Sequence, residues 1–326
     1  MPIDKQEEKM KIVPNGLIKV LNMRTRLFLF SAFLLALVFI GLIWSLQLAD
    51  IRPQPIRILA ESEETGLEAQ GRYLLERAWK AQGMDSFFLH DTYTAMGTDE
   101  WKGLLGHMGK LWPEAKARLK MDFHAGTFTS RVTFLDGEQK GLVAGQQDWA
   151  YYEIRSDELL FKEKQNPRIS FGLSAYQYFF ELLDRLDDVP VVYYAGQKPY
   201  AGKNYELVFA SWETPEPHPE HDQYLLFLDP QTHRLQAASY TVRDNYLPGA
   251  SNLYGSILFD DFRKVEGAWI PFRQTVFLNG LSENTDQFIH ELTLDSFVFD
   301  AVPEEVLYPE PDRARIGDAK PASFLH

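Results

Sequence analysis

The residues of this 326-residue chain that could do chemistry are few and scattered. Histidines at 90, 107, 124, 218, 221, 233 and 290 are spread along it, and only His218-Pro219-Glu220-His221 brings two close together. Two imidazoles in an exposed loop hold a metal weakly, because a defined site takes three or four ligands. Asp187-Asp188 and Asp260-Asp261 are adjacent carboxylates. The first pair ends a helical pattern, where solvation accounts for it. The second falls in a strand-like run, where successive side chains point to opposite faces, so it makes a poor acid–base dyad. No G-x-S-x-G elbow occurs. There is no cysteine, which excludes disulfides, thiolate zinc sites, cysteine nucleophiles and a lipid-modified N-terminal cysteine. These residue types predict no catalytic site, no metal and no cofactor.

Aromatic residues are the stronger hint. Tyr176, Tyr178, Phe179 and Phe180 crowd one helical stretch, and Trp149, Tyr151 and Tyr152 crowd one strand-like stretch. Any one of them reads as ordinary core. As a set they suit a ligand cavity, because a large curled sheet encloses more interior than two helices fill. Leu173, Tyr176, Phe179, Phe180, Leu183, Trp149 and Tyr151 are the candidate pocket residues.

The elements that must position them are mostly strands. From Asp222 to Phe299, runs rich in β-branched and aromatic residues alternate with tight turns at Pro230-Gln231-Thr232, Glu266-Gly267 and Asn279-Gly280. Further strands are expected at 86–96, 118–124, 128–135, 142–154, 191–196 and 204–211, with a turn at Asp136-Gly137. The total is roughly ten or eleven. One helix should run from a cap at Ser62 to Gly83. A second should run from a cap at Asn166, through Pro167, to Asp187-Asp188. Residues 100–113 fit a short helix or a flap. Several strands are apolar on both faces: Leu225 and Phe227 oppose Tyr224, Leu226 and Leu228, and Leu258 and Phe262 oppose Ile257 and Phe259. Both faces therefore need cover. The pattern predicts a mainly β fold, a curled antiparallel sheet or unclosed β-barrel with a helical lid. The stripe of Leu173, Tyr176, Phe179, Phe180 and Leu183 should pack into its concave side.

Leu27 to Leu46 is a different kind of segment. Its twenty residues carry no charge, and at helical rise they cover about 30 Å, the thickness of a bilayer's hydrocarbon core. Residues 1–26 hold six Lys and Arg against three Asp and Glu, and this basic flank should stay cytoplasmic. A cleaved signal peptide is the alternative, although only Ala49 is small near its end and Gln47 stands where a second small residue is wanted. A buried soluble helix would carry a polar interruption. The expected organisation is a cytoplasmic basic segment at 1–26, a transmembrane helix at 27–47, a linker at 48–61, an extracytoplasmic β domain at 62–311 and a polar tail at 312–326. The chain would then be a single-pass protein of the inner membrane with its body in the periplasm. Beyond residue 26, 27 Lys and Arg face 43 Asp and Glu, a net charge of −16. Such an acidic body does not suit nucleic acid.

The meander resembles a known family. LDPQTHRL, FDDFRKVEGAWIPFR and FVFDAVPEEVLYPEP, with the opening WKAQGMDSFFLHDTYTAMGTDEW, look like the LolA/LolB-like superfamily of outer-membrane lipoprotein-sorting proteins. The likeness spans about residues 66–311 and rests on strand and turn patterns. It implies an unclosed antiparallel β-barrel with a helical lid over an apolar cavity for acyl chains. The family's lid-latching arginine maps onto no particular position. The added membrane helix departs from the family's diffusing carriers and favours local lipid handling, handover or sensing. The resemblance implies a non-catalytic protein that binds a lipid, lipoprotein acyl chains or another hydrophobic ligand. A sensor or scaffold module contacting other envelope proteins is the alternative reading, and an extracytoplasmic hydrolase a third.

Overall fold

The computed structural model describes residues 30–33, 48–59, 61–156, 158–161, 166–243, 246, 249–313 and 315. Residues 30–33 are helical. The rest of the expected transmembrane helix, the basic segment before it and most of the tail at 312–326 lie outside the described residues. Among the described residues no helix is long and apolar enough to cross a membrane. The chain divides into two compact units, Met1–Leu46 and Gln47–His326. The second is described here.

It is built on one antiparallel sheet of thirteen strands. β1 (Thr92–Trp101), β2 (Lys116–His124), β3 (Ser130–Phe134), β4 (Val143–Gln147), β5 (Ala150–Arg155) and β6 (Glu158–Phe161) form one meander. β7 (Val191–Tyr200), β8 (Lys203–Ser211), β9 (Gln223–Leu228), β10 (Leu235–Thr241), β11 (Tyr254–Val265), β12 (Ala268–Leu278) and β13 (His290–Phe299) form a second. The two join where β1 pairs with β13, which leaves β6 and β7 as the edges. Gly97 sits at a register shift in this seam, and a Cβ there would stand 2.2 Å from the Thr293 carbonyl oxygen. Only glycine lets the two backbones come this close.

Among the described residues of this unit, six α-helices accompany the sheet: α1 (Gln54–Arg57), α2 (Glu61–Gln82), α3 (Met84–Phe87), α4 (Gly103–Gly109), α5 (Pro167–Phe180) and α6 (Leu182–Arg185). The segment containing α5 and α6 connects β6 to β7, so it runs from one edge of the sheet to the other. Flat, thirteen strands would span about 58 Å. Yet Tyr151 on β5, Val192 on β7 and Leu292 on β13 share one buried cluster with Leu173 and Phe180 of α5. The sheet therefore curls around α5 without closing. A second cluster covers the opposite face of β7–β10. There Ile51 and Ile56 pack on Tyr193, Phe209, Leu225 and Phe227. The stretch expected as a linker is thus seated on the sheet, with Ile51 and Ile56 buried.

Several expectations are corrected. The sheet has thirteen strands because 142–154 is two strands, turned at Asp148 (φ 48°) and Trp149 (φ 68°), and because β6 adds a short edge. Residues 84–87 are α3 rather than the start of a strand. Left-handed Gly83 (φ 79°) ends α2, and its carbonyl then accepts from Ser86 and Phe87, starting a new turn. α2 begins at Glu61, so Ser62 lies within it and is not its cap. The second helix breaks at Glu181 into α5 and α6. Phe262 packs with the inner cluster, whereas Leu258 packs on the other face. Asp261 at φ 50° interrupts the two-residue alternation between them.

Candidate functional site

α5 starts as its sequence dictates. Asn166 caps it, its Oδ1 accepting from the Ile169 amide at 3.3 Å, and Pro167 fills the first turn. Leu173, Tyr176, Phe180 and Leu183 are buried against the inner face of the sheet. Phe179 is half-buried, its ring 4.7 Å from that of Tyr240. Phe179, Phe180 and Leu183 line a small space with Met84, Leu235 and Phe259, about 20 Å³ in volume, which holds no more than a water. Of the other candidates, Tyr151 is buried in the inner cluster and donates its hydroxyl to Glu153 at 2.9 Å. Trp149 lies in the β4–β5 turn, not on a strand, with its ring 5.0 Å from Phe128. α5 therefore carries four of the seven residues and α6 a fifth, Leu183, while Trp149 stands apart.

Two buried polar clusters pin the insert. Near the middle of α5, the Tyr176 hydroxyl donates to Asp99 Oδ1 at 2.5 Å, and His290 Nε2 lies 2.5 Å from the same oxygen. Trp101 donates its indole N–H to Asp99 Oδ2 at 2.6 Å and stacks on His290. This geometry requires the proton of His290 on Nε2, since a lone pair there would face the carboxylate. Burial raises the Tyr176 hydroxyl pKa well above its ordinary value, and Asp99 adds to the effect. At the α5–α6 break, fully buried Glu181 accepts from Tyr93 at 3.0 Å, Gln177 at 3.1 Å and Arg185 at 2.6 Å. Burial pushes the Glu181 pKa up, and the charge of Arg185 opposes that shift.

Arginines at both ends of the insert bind loop carbonyls. Arg185 donates to Thr127 O at 2.8 Å, and Arg168 donates to Met108 O at 3.0 Å and Lys110 O at 2.7 Å. Tyr246 donates to Gly109 O and lies under the Arg168 guanidinium. Sequence reasoning singled out Tyr176 but not its partners or the arginine contacts. Asp99 and His290 are 191 positions apart, and only the β1–β13 register brings them together.

Beside α4 opens a larger cavity, about 410 Å³. Its wall combines Leu111, Trp112 and Ile169 with Lys110 and Arg168.

The solved structures can be set beside this geometry. The chain is similar to LolA superfamily structures. One is a LolA superfamily protein from Nitrosomonas europaea, at 11% identity over 73% of this chain and 96% of that one, with a TM-score of 0.45. A putative outer membrane lipoprotein-sorting protein domain from Vibrio parahaemolyticus matches at 9% identity over 74% and 97%, TM-score 0.45. A DUF1329 family protein from Desulfovibrio piger matches at 10% identity over 74% and 96%, TM-score 0.47. No protein-family model and no curated protein matches the sequence. The unclosed sheet with its helical insert is the arrangement that the LolA-like turns implied.

The remaining chemistry-bearing groups are also placed. Asp260 pairs with Arg273 and Asp261 with Arg263, so each carboxylate has its own partner. His218 and His221 stack at 4.6 Å, and Glu213 joins them, 3.5 Å from His221 Nε2. This third ligand was not visible in the spacing. His218 Nδ1 accepts the Glu220 amide at 3.1 Å, which leaves the proton of a neutral ring on Nε2. Metal-binding histidines ordinarily donate from the ring nitrogen that does not bind the metal. Glu213, His218 and His221 nevertheless offer three ligand atoms within 4.8 Å of one another.

Proposed function

We propose that this chain is a non-catalytic LolA-like protein that binds a lipid or other acyl-bearing ligand in its curled sheet, next to a membrane that its N-terminal segment spans. The observation that carries this reading is the insert. The inner face of an unclosed sheet is apolar from β5 to β7, and one helical segment running between its edges fills it. That segment is fixed by polar contacts at separate points, Tyr176, Glu181, Arg168 and Arg185, and not by continuation of the sheet. A unit held in this way can move as a body. Displacing it would open a trough between the inner face of the sheet and the stripe of Leu173, Tyr176, Phe179, Phe180 and Leu183. Each methylene buried there is worth about 0.8 kcal/mol, so an acyl chain can replace the helix contacts it displaces. The buried Asp99–His290–Tyr176 group serves as a latch in this reading.

The test is lipid extraction and mass spectrometry of full-length protein purified in mild detergent. Stoichiometric co-purifying lipid is expected, with fluorescence gain from a hydrophobic dye after delipidation. Absence of both removes the reading and leaves a sensor or scaffold that uses the same fold.

A further inference from the structure

α4 is turned inside out relative to an ordinary amphipathic helix. Two of its three glycines, Gly106 and Gly109, face the protein. A Cβ at Gly106 would stand 2.7 Å from the Ile289 carbonyl oxygen, and Gly109 is buried. Its large apolar side chains face outward instead, with Leu104 78%, Leu105 52% and Met108 57% exposed. Exposed apolar side chains gathered on one short helix mark a contact surface. Tight backbone approach at Gly106 and the clasp of Arg168 and Tyr246 on the last carbonyls fix the helix in this orientation.

Immediately beside it lies the 410 Å³ cavity. Its Lys110 Nζ donates to Pro113 O, and Arg168 uses Nη1 for the carbonyls of Met108 and Lys110. Neither cation has a carboxylate partner among the described residues. Two cations without a carboxylate partner, set in an apolar wall, match a ligand that is itself anionic at one end and apolar at the other. The volume admits roughly fourteen water-sized groups. That suits a glycerophosphate head and is too little for a pair of acyl chains.

We propose that this cavity takes the anionic phosphate head of a lipid, with the acyl chains leaving across Leu104, Leu105 and Met108. The proposal rests on the lipid-binding reading above and narrows it to anionic lipids.

Full-length protein in dodecyl maltoside is titrated with fluorescently labelled phosphatidylglycerol and phosphatidylcholine of the same chain length. The anionic lipid should bind about tenfold more tightly, the value of one charge-assisted contact. Lys110→Gln should abolish that preference and leave the melting temperature unchanged. Arg168→Gln should do the same, but it also removes the clasp on α4, so Lys110→Gln decides the matter. Leu104→Gln with Leu105→Gln should weaken both lipids. Equal binding of the two lipids, unaltered by Lys110→Gln, overturns the headgroup site while the hydrophobic reading stands. Displacement of phosphatidylglycerol by millimolar inorganic phosphate overturns it in favour of a free-phosphate site. Failure of both lipids to bind overturns the lipid-binding reading itself.

Discussion

Phe179 and Phe180 are neighbours on one helix with different surroundings. Phe180 is 7% exposed and packs its ring 5.5 Å from Phe297 and 6.0 Å from Tyr93. Phe179 is half-buried and leans on Tyr240 at the edge of the small inner space. Removing a buried phenyl ring costs about 3–5 kcal/mol, and Phe180→Ala should fall in that range. Phe179→Ala should cost about half as much, because part of its surface is already wet. Under the lipid-binding reading, Phe179→Ala should also lower ligand retention. Urea denaturation of both variants, with lipid quantified in each, checks this; equal stability losses would show that Phe179 is plain core. The sequence identified the stripe but could not rank its members, since a helical period gives a face and not its depth. Likewise Tyr176 was legible as apolar surface. Its hydroxyl's role against Asp99 and His290 was not, because that role depends on a long-range strand register.

Among the elements, the twofold alternation of β9 was readable directly, and Leu225 and Phe227 indeed pack on one face while Tyr224, Leu226 and Leu228 pack on the other. The turns carrying Gly or Asn were readable for the same reason: Gly137, Gly267, Asn279 and Gly280 all take positive φ. The β4–β5 turn was missed because Trp149 holds a left-handed backbone that its residue type does not advertise. Contacts at element ends were also hidden. His124 closes β2, with Nδ1 2.7 Å from the Tyr308 hydroxyl of the C-terminal segment. Burial holds its pKa below the ordinary 6.5, with Arg315 adding to the shift and Glu304, Asp91 and Asp148 opposing it. The folded protein therefore favours the neutral ring. As pH falls below 6.5, the unfolded chain takes up this proton first, so stability present above 6.5 is lost toward the depressed folded value. His124→Asn keeps a polar partner for Tyr308 and removes the titration. Denaturation midpoints at pH 7.5 and 5.5 should differ more for the wild type than for this variant. An identical difference in both would assign the acid sensitivity elsewhere.

At the scale of the whole molecule, the proposed function calls for a body that stands beside a membrane. Under the proposed lipid-binding function, the twenty uncharged residues from Leu27 to Leu46, long enough to cross a bilayer as a helix, would keep the body beside one. Orientation follows from charge. The six basic residues within 1–26 favour retention of that end in the cytoplasm, and the body beyond carries 43 acidic residues against 27 basic ones, which opposes no outward transfer. With one span, the C-terminus at His326 must then lie on the opposite side from Met1. Alkaline phosphatase fused after His326 should be active in cells, and β-galactosidase fused at the same point should be inactive. Replacing Lys5, Lys9, Lys11 and Lys19 with Gln should erode that difference, because basic residues near the membrane end set the orientation. A cytoplasmic signal from the unaltered chain would place the trough on the wrong side for an envelope lipid. The fold would then have to be read as a cytoplasmic binding module, and the exposed Leu104, Leu105 and Met108 as a surface for another partner.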